Sequence, residues 1–188
     1  MLNYPAGINN KKKTIQFKNR GMSLESLLNE TNEFYLLNNK AVIYKKPTPI
    51  KVIKMDATKK RITSAIFDKH STTDYNGVFN GIYIDYEAKS TKNKTSFPLS
   101  NFQTCQINHF RKILAQKACA FVIIEFSRLE KYYLLPANKL IEFIDNNKRK
   151  SIELSYIEKN GFEILRTINP TLDYLKIISS FYKKNKTL

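Results

Sequence analysis

Residues 71–99 read STTDYNGVFNGIYIDYEAKSTKNKTSFPL, and within them Asp74, Glu87 and Lys89 have the types needed for metal-assisted chemistry. Mg²⁺ commonly takes one or two protein carboxylates and keeps water and phosphate oxygens as its other ligands. A lysine beside such a pair can neutralise charge on a phosphate or orient an attacking water. The question is whether the chain brings these three together. Asn80-Gly81 is a strong two-residue hairpin signal, because a type I′ turn needs positive φ at both central residues. With that turn, Phe79 faces Ile82 and, counting outward without a bulge, Asp74 faces Glu87.

Period-two alternation then groups Thr72, Asp74, Glu87 and Lys89 on one face of the ribbon and sends Ile82, Ile84, Tyr86 and Ala88 to the other. Facing residues stand roughly 5 Å apart at Cβ, where two like charges are destabilising unless something neutralises them. A divalent cation would do so. An ordinary half-buried hairpin with solvated charges, and Lys89 paired to a carboxylate, accounts for the same pattern. Asp85 shares the polar face two residues before Glu87 and is a rival ligand, and a one-residue bulge would break the pairing.

Other elements must carry this hairpin. Leu24, Leu27, Leu28, Phe34, Leu36 and Leu37 recur at near-helical spacing behind Ser23, which predicts a helix from Leu24 to Asn38. Val42 and Tyr44 begin an alternating stretch that Pro47 and Pro49 bar from a central strand. Residues 50–69 are therefore expected as a protruding hairpin or an insertion, basic on its exposed side. Phe102, Cys105, Phe110, Ile113 and Leu114 form one helical stripe, with Ser100 and Gln103 at capping-box spacing. ACAFVIIEFS and KYYLLPA read as buried strands, NKLIEFIDNNKR and LDYLKIISSFYK as helices. The order predicts an α/β fold with a mixed sheet flanked by helices.

With 188 residues the chain suits one domain, and 42% hydrophobic residues suit a packed core. Its charge is the unusual quantity: 32 Lys and Arg against 16 Asp and Glu leave +16. Self-repulsion of that size points to a polyanionic partner. Basic clusters fall at 11–13, 18–20, 59–61, 92–94, 148–150 and 183–186, and residues 1–18 read as a flexible basic arm. No run of about 18 apolar residues could span a bilayer, and no secretory signal is expected. Cys105 and Cys119 lack the spacing of a zinc site and fit a reducing compartment. His70 and His109 are more readily structural than catalytic.

The Asp74 and E-A-K 87–89 pattern resembles the active site of restriction-endonuclease-like nucleases. Together with NRGMSLE (19–25), YKKPTPIKV (44–52), the whole of 71–99 and FVII (121–124), it closely resembles the RecU family of Holliday-junction resolvases, from about Asn19 to the C-terminal helix. The resemblance implies a restriction-endonuclease-like nuclease domain over residues 19–188, with the stalk inserted at about 50–69. It also implies a homodimeric, Mg²⁺-dependent endonuclease, Mn²⁺ substituting, that nicks four-way DNA junctions symmetrically in recombination and repair. Metal-site residues fall by position on Thr72, Asp74, Glu87 and Gln106, and the catalytic lysine on Lys89. Gln106 lies on the apolar stripe between Phe102 and Phe110, where a satisfied buried amide is the plain alternative. The basic clusters, not the resemblance, supply the candidate DNA contacts Arg20, Lys59, Lys60, Arg61, Lys92 and Lys94. The implied setting is a cytoplasmic, nucleoid-associated protein that meets recombinase or branch-migration proteins and no membrane. A junction-binding accessory without catalysis and a duplex-cutting endonuclease are the competing functions.

Overall fold

The computed structural model describes residues 22–68 and 72–185. The expected basic arm over 1–18, Arg20 and His70 lie outside them. Helix α1 (Leu24–Leu37) starts where Ser23 Oγ accepts the Ser26 N–H at 3.2 Å, and it turns Leu24, Leu27, Leu28 and Tyr35 inward. Strand β1 (Val42–Lys45) follows and ends before Pro47 and Pro49, as the prolines require. Strands β2 (Ile50–Asp56) and β3 (Arg61–Phe67) pair only with each other, forming a separate two-stranded arm. Its distal turn closes on Asp56, whose Oδ1 accepts the N–H groups of Thr58 and Lys59 at 3.0 and 3.1 Å.

Strands β4 (Tyr75–Phe79) and β5 (Ile82–Thr91) form the hairpin predicted from Asn80-Gly81, with φ of 49° and 77° at the turn. Their register is unbroken from Phe79↔Ile82 to Tyr75↔Tyr86. The short strand β6 (Ser96–Pro98) and a single 3-10 turn (Leu99–Asn101) lead into helix α2 (Thr104–Ala115). The expected cap at Ser100 is displaced by three residues. Gln103 caps α2 instead, its N–H donating to Gln106 Oε1 at 3.0 Å, because Leu99–Asn101 already turns before the helix begins. Strands β7 (Cys119–Phe126) and β8 (Lys131–Pro136) and helix α3 (Ala137–Asn146) follow as expected. Strand β9 (Ser151–Glu153), helix α4 (Leu154–Asn160) and strand β10 (Phe162–Ile164) were not anticipated; α5 (Tyr174–Asn185) was.

The main sheet runs β1-β4-β5-β7-β8-β10, with β5 and β7 parallel and every other pair antiparallel. It is the expected mixed α/β sheet with helices on both faces. One face packs Leu27, Leu28 and Tyr35 of α1 and Tyr174, Leu175 and Ile178 of α5 against Tyr86, Phe121 and Ile123. Across three adjacent strands Tyr75, Tyr86 and Phe121 stack in register, with ring centroids 4.7 and 4.9 Å apart. The other face packs Phe110 of α2 and Leu140 and Phe143 of α3 against Val122 and Ile124. Because strand side chains alternate, the residues of β5 between the core positions Ile84 and Tyr86 point toward the α2 side.

Candidate active site

Alternation along β5 brings Tyr83, Asp85, Glu87 and Lys89 to the face that α2 covers. The hairpin register carries Asp74, one residue before β4, opposite Glu87. The Asp74 N–H donates to Glu87 Oε2 at 3.1 Å, and the Ala88 N–H donates to Asp74 Oδ2 at 3.1 Å. Glu87 Oε1 receives Lys89 Nζ at 2.6 Å and Gln106 Nε2 at 2.6 Å. Four residues proposed from the sequence thus meet: Asp74, Glu87, Lys89 and Gln106. Gln106 spans the two elements, since its Oε1 caps α2 while its Nε2 reaches the sheet.

Glu87 is fully buried, so it is not one of the solvated surface charges of an ordinary hairpin. Burial pushes its carboxyl up to about 7, the neighbouring Asp74 charge adds to the shift, and Lys89 opposes it. A buried carboxylate that resists ionising beside a second carboxylate is the environment a cation relieves. Asp74 and Glu87 therefore fit a divalent ion that takes two carboxylates and completes its shell with water and phosphate oxygens. No group of three or more His, Cys, Asp or Glu that could hold a metal ion is present among the described residues. Thr72 is exposed, and its Oγ1 accepts Lys46 Nζ at 3.2 Å.

Asp85, the rival ligand, has a different environment. It is fully buried, and its Oδ2 receives Lys46 Nζ at 2.8 Å, Tyr83 OH at 3.0 Å and His109 Nε2 at 3.1 Å. Thr73 Oγ1 donates to its Oδ1. Donors already crowd this carboxylate, so it is a hub of protein hydrogen bonds, and His109 serves as one spoke of it. Lys46 and Thr73 were missed in the sequence. The signal for Lys46 was its place in the Val42, Tyr44, Lys46 alternation; for Thr73 there was none, since alternation sets it opposite to Asp74.

The candidate DNA contacts are dispersed. Lys59 and Lys60 occupy the exposed distal turn of the β2–β3 arm and Arg61 opens β3 beside them, roughly 20 Å of strand from the arm's root. Lys92 and Lys94 are exposed just beyond β5, at the same end of that strand as Lys89.

The family model described as Recombination protein U, RecU, matches residues 19–180, from before α1 into α5. The chain belongs to the RecU family. Relatives match this chain over most of both lengths. A Holliday junction resolvase RecU of Streptococcus agalactiae is 47% identical over 95% of this chain and 95% of its own length. The protein of that name from Streptococcus uberis is 48% identical over 93% and 88%. The one from Streptococcus thermophilus is 44% identical over 98% and 100%. Among solved structures, Archaeoglobus fulgidus Hjc, a Holliday junction resolvase, aligns with a TM-score of 0.43 and 15% identity, over 74% of this chain and 91% of that one.

Proposed function

We propose that this RecU-family chain is a structure-specific endonuclease that resolves four-way DNA junctions by Mg²⁺-dependent hydrolysis of phosphodiesters. The observation that carries this reading is the convergence of Asp74, Glu87, Lys89 and Gln106 on one partly buried face, in a chain whose relatives are named as Holliday junction resolvases. Hydrolysis needs an activated water, neutralisation of the phosphate and stabilisation of the leaving 3′-oxygen. Asp74 and Glu87 would hold the cation, which supplies Lewis-acid polarisation of the scissile phosphate; Mn²⁺ would substitute. Lys89, tethered to Glu87, orients the water and offsets negative charge that builds in the transition state. Gln106 fixes the Glu87 rotamer from α2, and Thr72, whose Oγ1 accepts Lys46 Nζ, would position water or phosphate.

Junction affinity comes from the basic surface. Lys59, Lys60 and Arg61 on the arm, Lys92 and Lys94 beyond β5, and Arg20 would neutralise phosphates, so binding weakens steeply with salt. Two-fold symmetric nicking calls for a homodimer, in which each copy cuts one of two equivalent strands. The exposed apolar side chains of the arm, among them Val52, Met55 and Ile66, suit an element that meets bases or a second copy. The protein would act in the cytoplasm at the nucleoid alongside recombinase or branch-migration proteins; no helix among the described residues is long and apolar enough to cross a membrane.

The test is cleavage of a labelled mobile four-way junction and of linear duplex, in Mg²⁺ and in EDTA, by the wild type and by Lys89→Ala. Paired Mg²⁺-dependent nicks in the junction alone, lost in the variant, are expected. Junction binding without cleavage in any divalent metal would make the protein an accessory, and equal cutting of duplex would remove the junction from the reading.

A further inference from the structure

The β2–β3 arm is inserted between β1 and β4, so its outgoing root is Lys46 and its returning root is the Thr72-Thr73-Asp74 segment. Both roots meet on one side chain. Asp85 Oδ2 receives Lys46 Nζ, and Asp85 Oδ1 receives Thr73 Oγ1. Lys46 Nζ also reaches Thr73 Oγ1 at 2.6 Å and Thr72 Oγ1 at 3.2 Å, which uses its three N–H donors. The Lys46 backbone N–H adds a bond to the Asp74 carbonyl at 2.7 Å. Tyr83 and His109 complete the set around Asp85, from the same strand and from α2.

This network matters because regular pairing of β4 with β5 stops at Tyr75↔Tyr86. The β4–β5 ladder therefore does not place Asp74. Its position opposite Glu87 depends on the Lys46 N–H bond to its carbonyl from the β1 side, on its bonds to Glu87 and Ala88, and on what anchors the residue before it. Thr73 is fully buried on Asp85, which makes Asp85 that anchor. Replacing side chains that orient metal ligands without touching the ion typically costs about 10- to 100-fold in metal affinity or activity.

We propose that Asp85 is a positioning residue: by holding Lys46 and Thr73, the two roots of the arm, it sets where Asp74 stands opposite Glu87 and hence how well the pair binds a divalent ion. The inference rests on the assignment of Asp74 and Glu87 as metal ligands. It also gives the arm a mechanical connection to the site, because a pull on either root is a pull on the hydrogen bonds that place Asp74.

The experiment compares full-length wild type with Asp85→Asn, Thr73→Val and Thr73→Ser. Mn²⁺ binding to the protein alone is followed by loss of the free-ion EPR signal, and the Mg²⁺ concentration for half-maximal junction cleavage is measured in parallel. Asp85→Asn and Thr73→Val are expected to weaken Mn²⁺ binding and raise the Mg²⁺ requirement by about 10- to 100-fold. Thr73→Ser, which keeps the hydroxyl, should stay near wild type, and junction binding in EDTA should be unchanged throughout. Wild-type metal binding in both Asp85→Asn and Thr73→Val overturns the inference. If Asp85→Asn does not fold, as judged by circular dichroism, the Val and Ser pair at Thr73 decides alone. A wild type that binds Mn²⁺ but cuts no junction removes the resolvase reading while the binding comparison still decides the role of Asp85. A wild type that binds no Mn²⁺ overturns both.

Discussion

The Asp74 N–H donates to Glu87 Oε2 at 3.1 Å, so the two proposed ligands are tied together by the backbone of one and the carboxylate of the other. The tie keeps two carboxylates close inside the fold, and its electrostatic cost falls on Glu87, whose carboxyl is raised from its usual 4.5 to about 7. The folded state then binds more protons than the unfolded chain between those values. Stability of the metal-free protein falls as pH rises through that window and is recovered below it. Glu87→Gln should remove this slope and stabilise the metal-free protein at pH 8 by up to about 3 kcal/mol, measured by urea denaturation in EDTA.

The same shift predicts the pH dependence of cleavage. Binding a cation requires ionised Glu87, so at limiting Mg²⁺ activity should rise with pH through about 7. More Mg²⁺ should move the midpoint to lower pH, because the ion competes with the proton for one carboxylate. Single-turnover rates at two Mg²⁺ concentrations check this; a midpoint indifferent to Mg²⁺ would place the titrating group elsewhere.

Lys89 has two effects that one substitution separates. Lys89→Ala should lower the single-turnover rate by about 10²- to 10³-fold, the usual loss for a group stabilising transition-state charge. Lys89 also opposes the upward shift of Glu87, so the residual activity should have its pH midpoint displaced upward. Unchanged junction affinity in EDTA would confirm that binding and chemistry reside in different residues.

Gln106 joins the helix cap to the site. Gln106→Ala loses the bond to the Gln103 N–H, at a cost of about 0.5–2 kcal/mol in stability, and also the donor to Glu87. Gln106→Glu retains the cap acceptor but sets a third carboxylate against Glu87. The two variants should separate in opposite senses: Gln106→Glu is the more stable in urea below pH 5, and Gln106→Ala retains more cleavage at pH 7.

Gly77 lets β1 approach β4. A Cβ there would lie 2.1 Å from the Val42 carbonyl oxygen and 2.5 Å from Ile43 Cα, both backbone atoms that cannot swing aside. Gly77→Ala should destabilise the fold by about 1–3 kcal/mol or more, read from urea midpoints. Because β1 delivers Lys46 to Asp85, the same variant should raise the Mg²⁺ requirement for cleavage.

Much of the site was legible before any tertiary contact was known, and the reason is range. The Asn80-Gly81 turn fixes a register between residues fewer than twenty apart, and alternation then assigns faces, so Asp74 opposite Glu87 with Lys89 beside them follows from local rules. Helix α1 was equally local, set by Ser23 and the leucine spacing. The short elements β6, β9, α4 and β10 were not legible. Three-residue strands carry almost no periodicity of their own and exist because a partner supplies their hydrogen bonds, as Ile152 does for Phe97.

By itself the sequence determined which residue types meet across the hairpin, the basic character of the surface and the alternation of apolar faces, because each of these depends on neighbours a few bonds or one turn away. Only the tertiary structure decided how those charges are used. Burial of Glu87 and Asp85 depends on α2 covering the sheet, and the arrival of Lys46 and His109 at Asp85 depends on β1 pairing with β4 and on α2 packing across β5. Asp85 and Glu87 sit two residues apart on one strand and look alike in sequence. Long-range packing surrounds the first with donors and leaves the second beside another carboxylate, and that difference in electrostatic environment separates the proposed anchor from the proposed ligand.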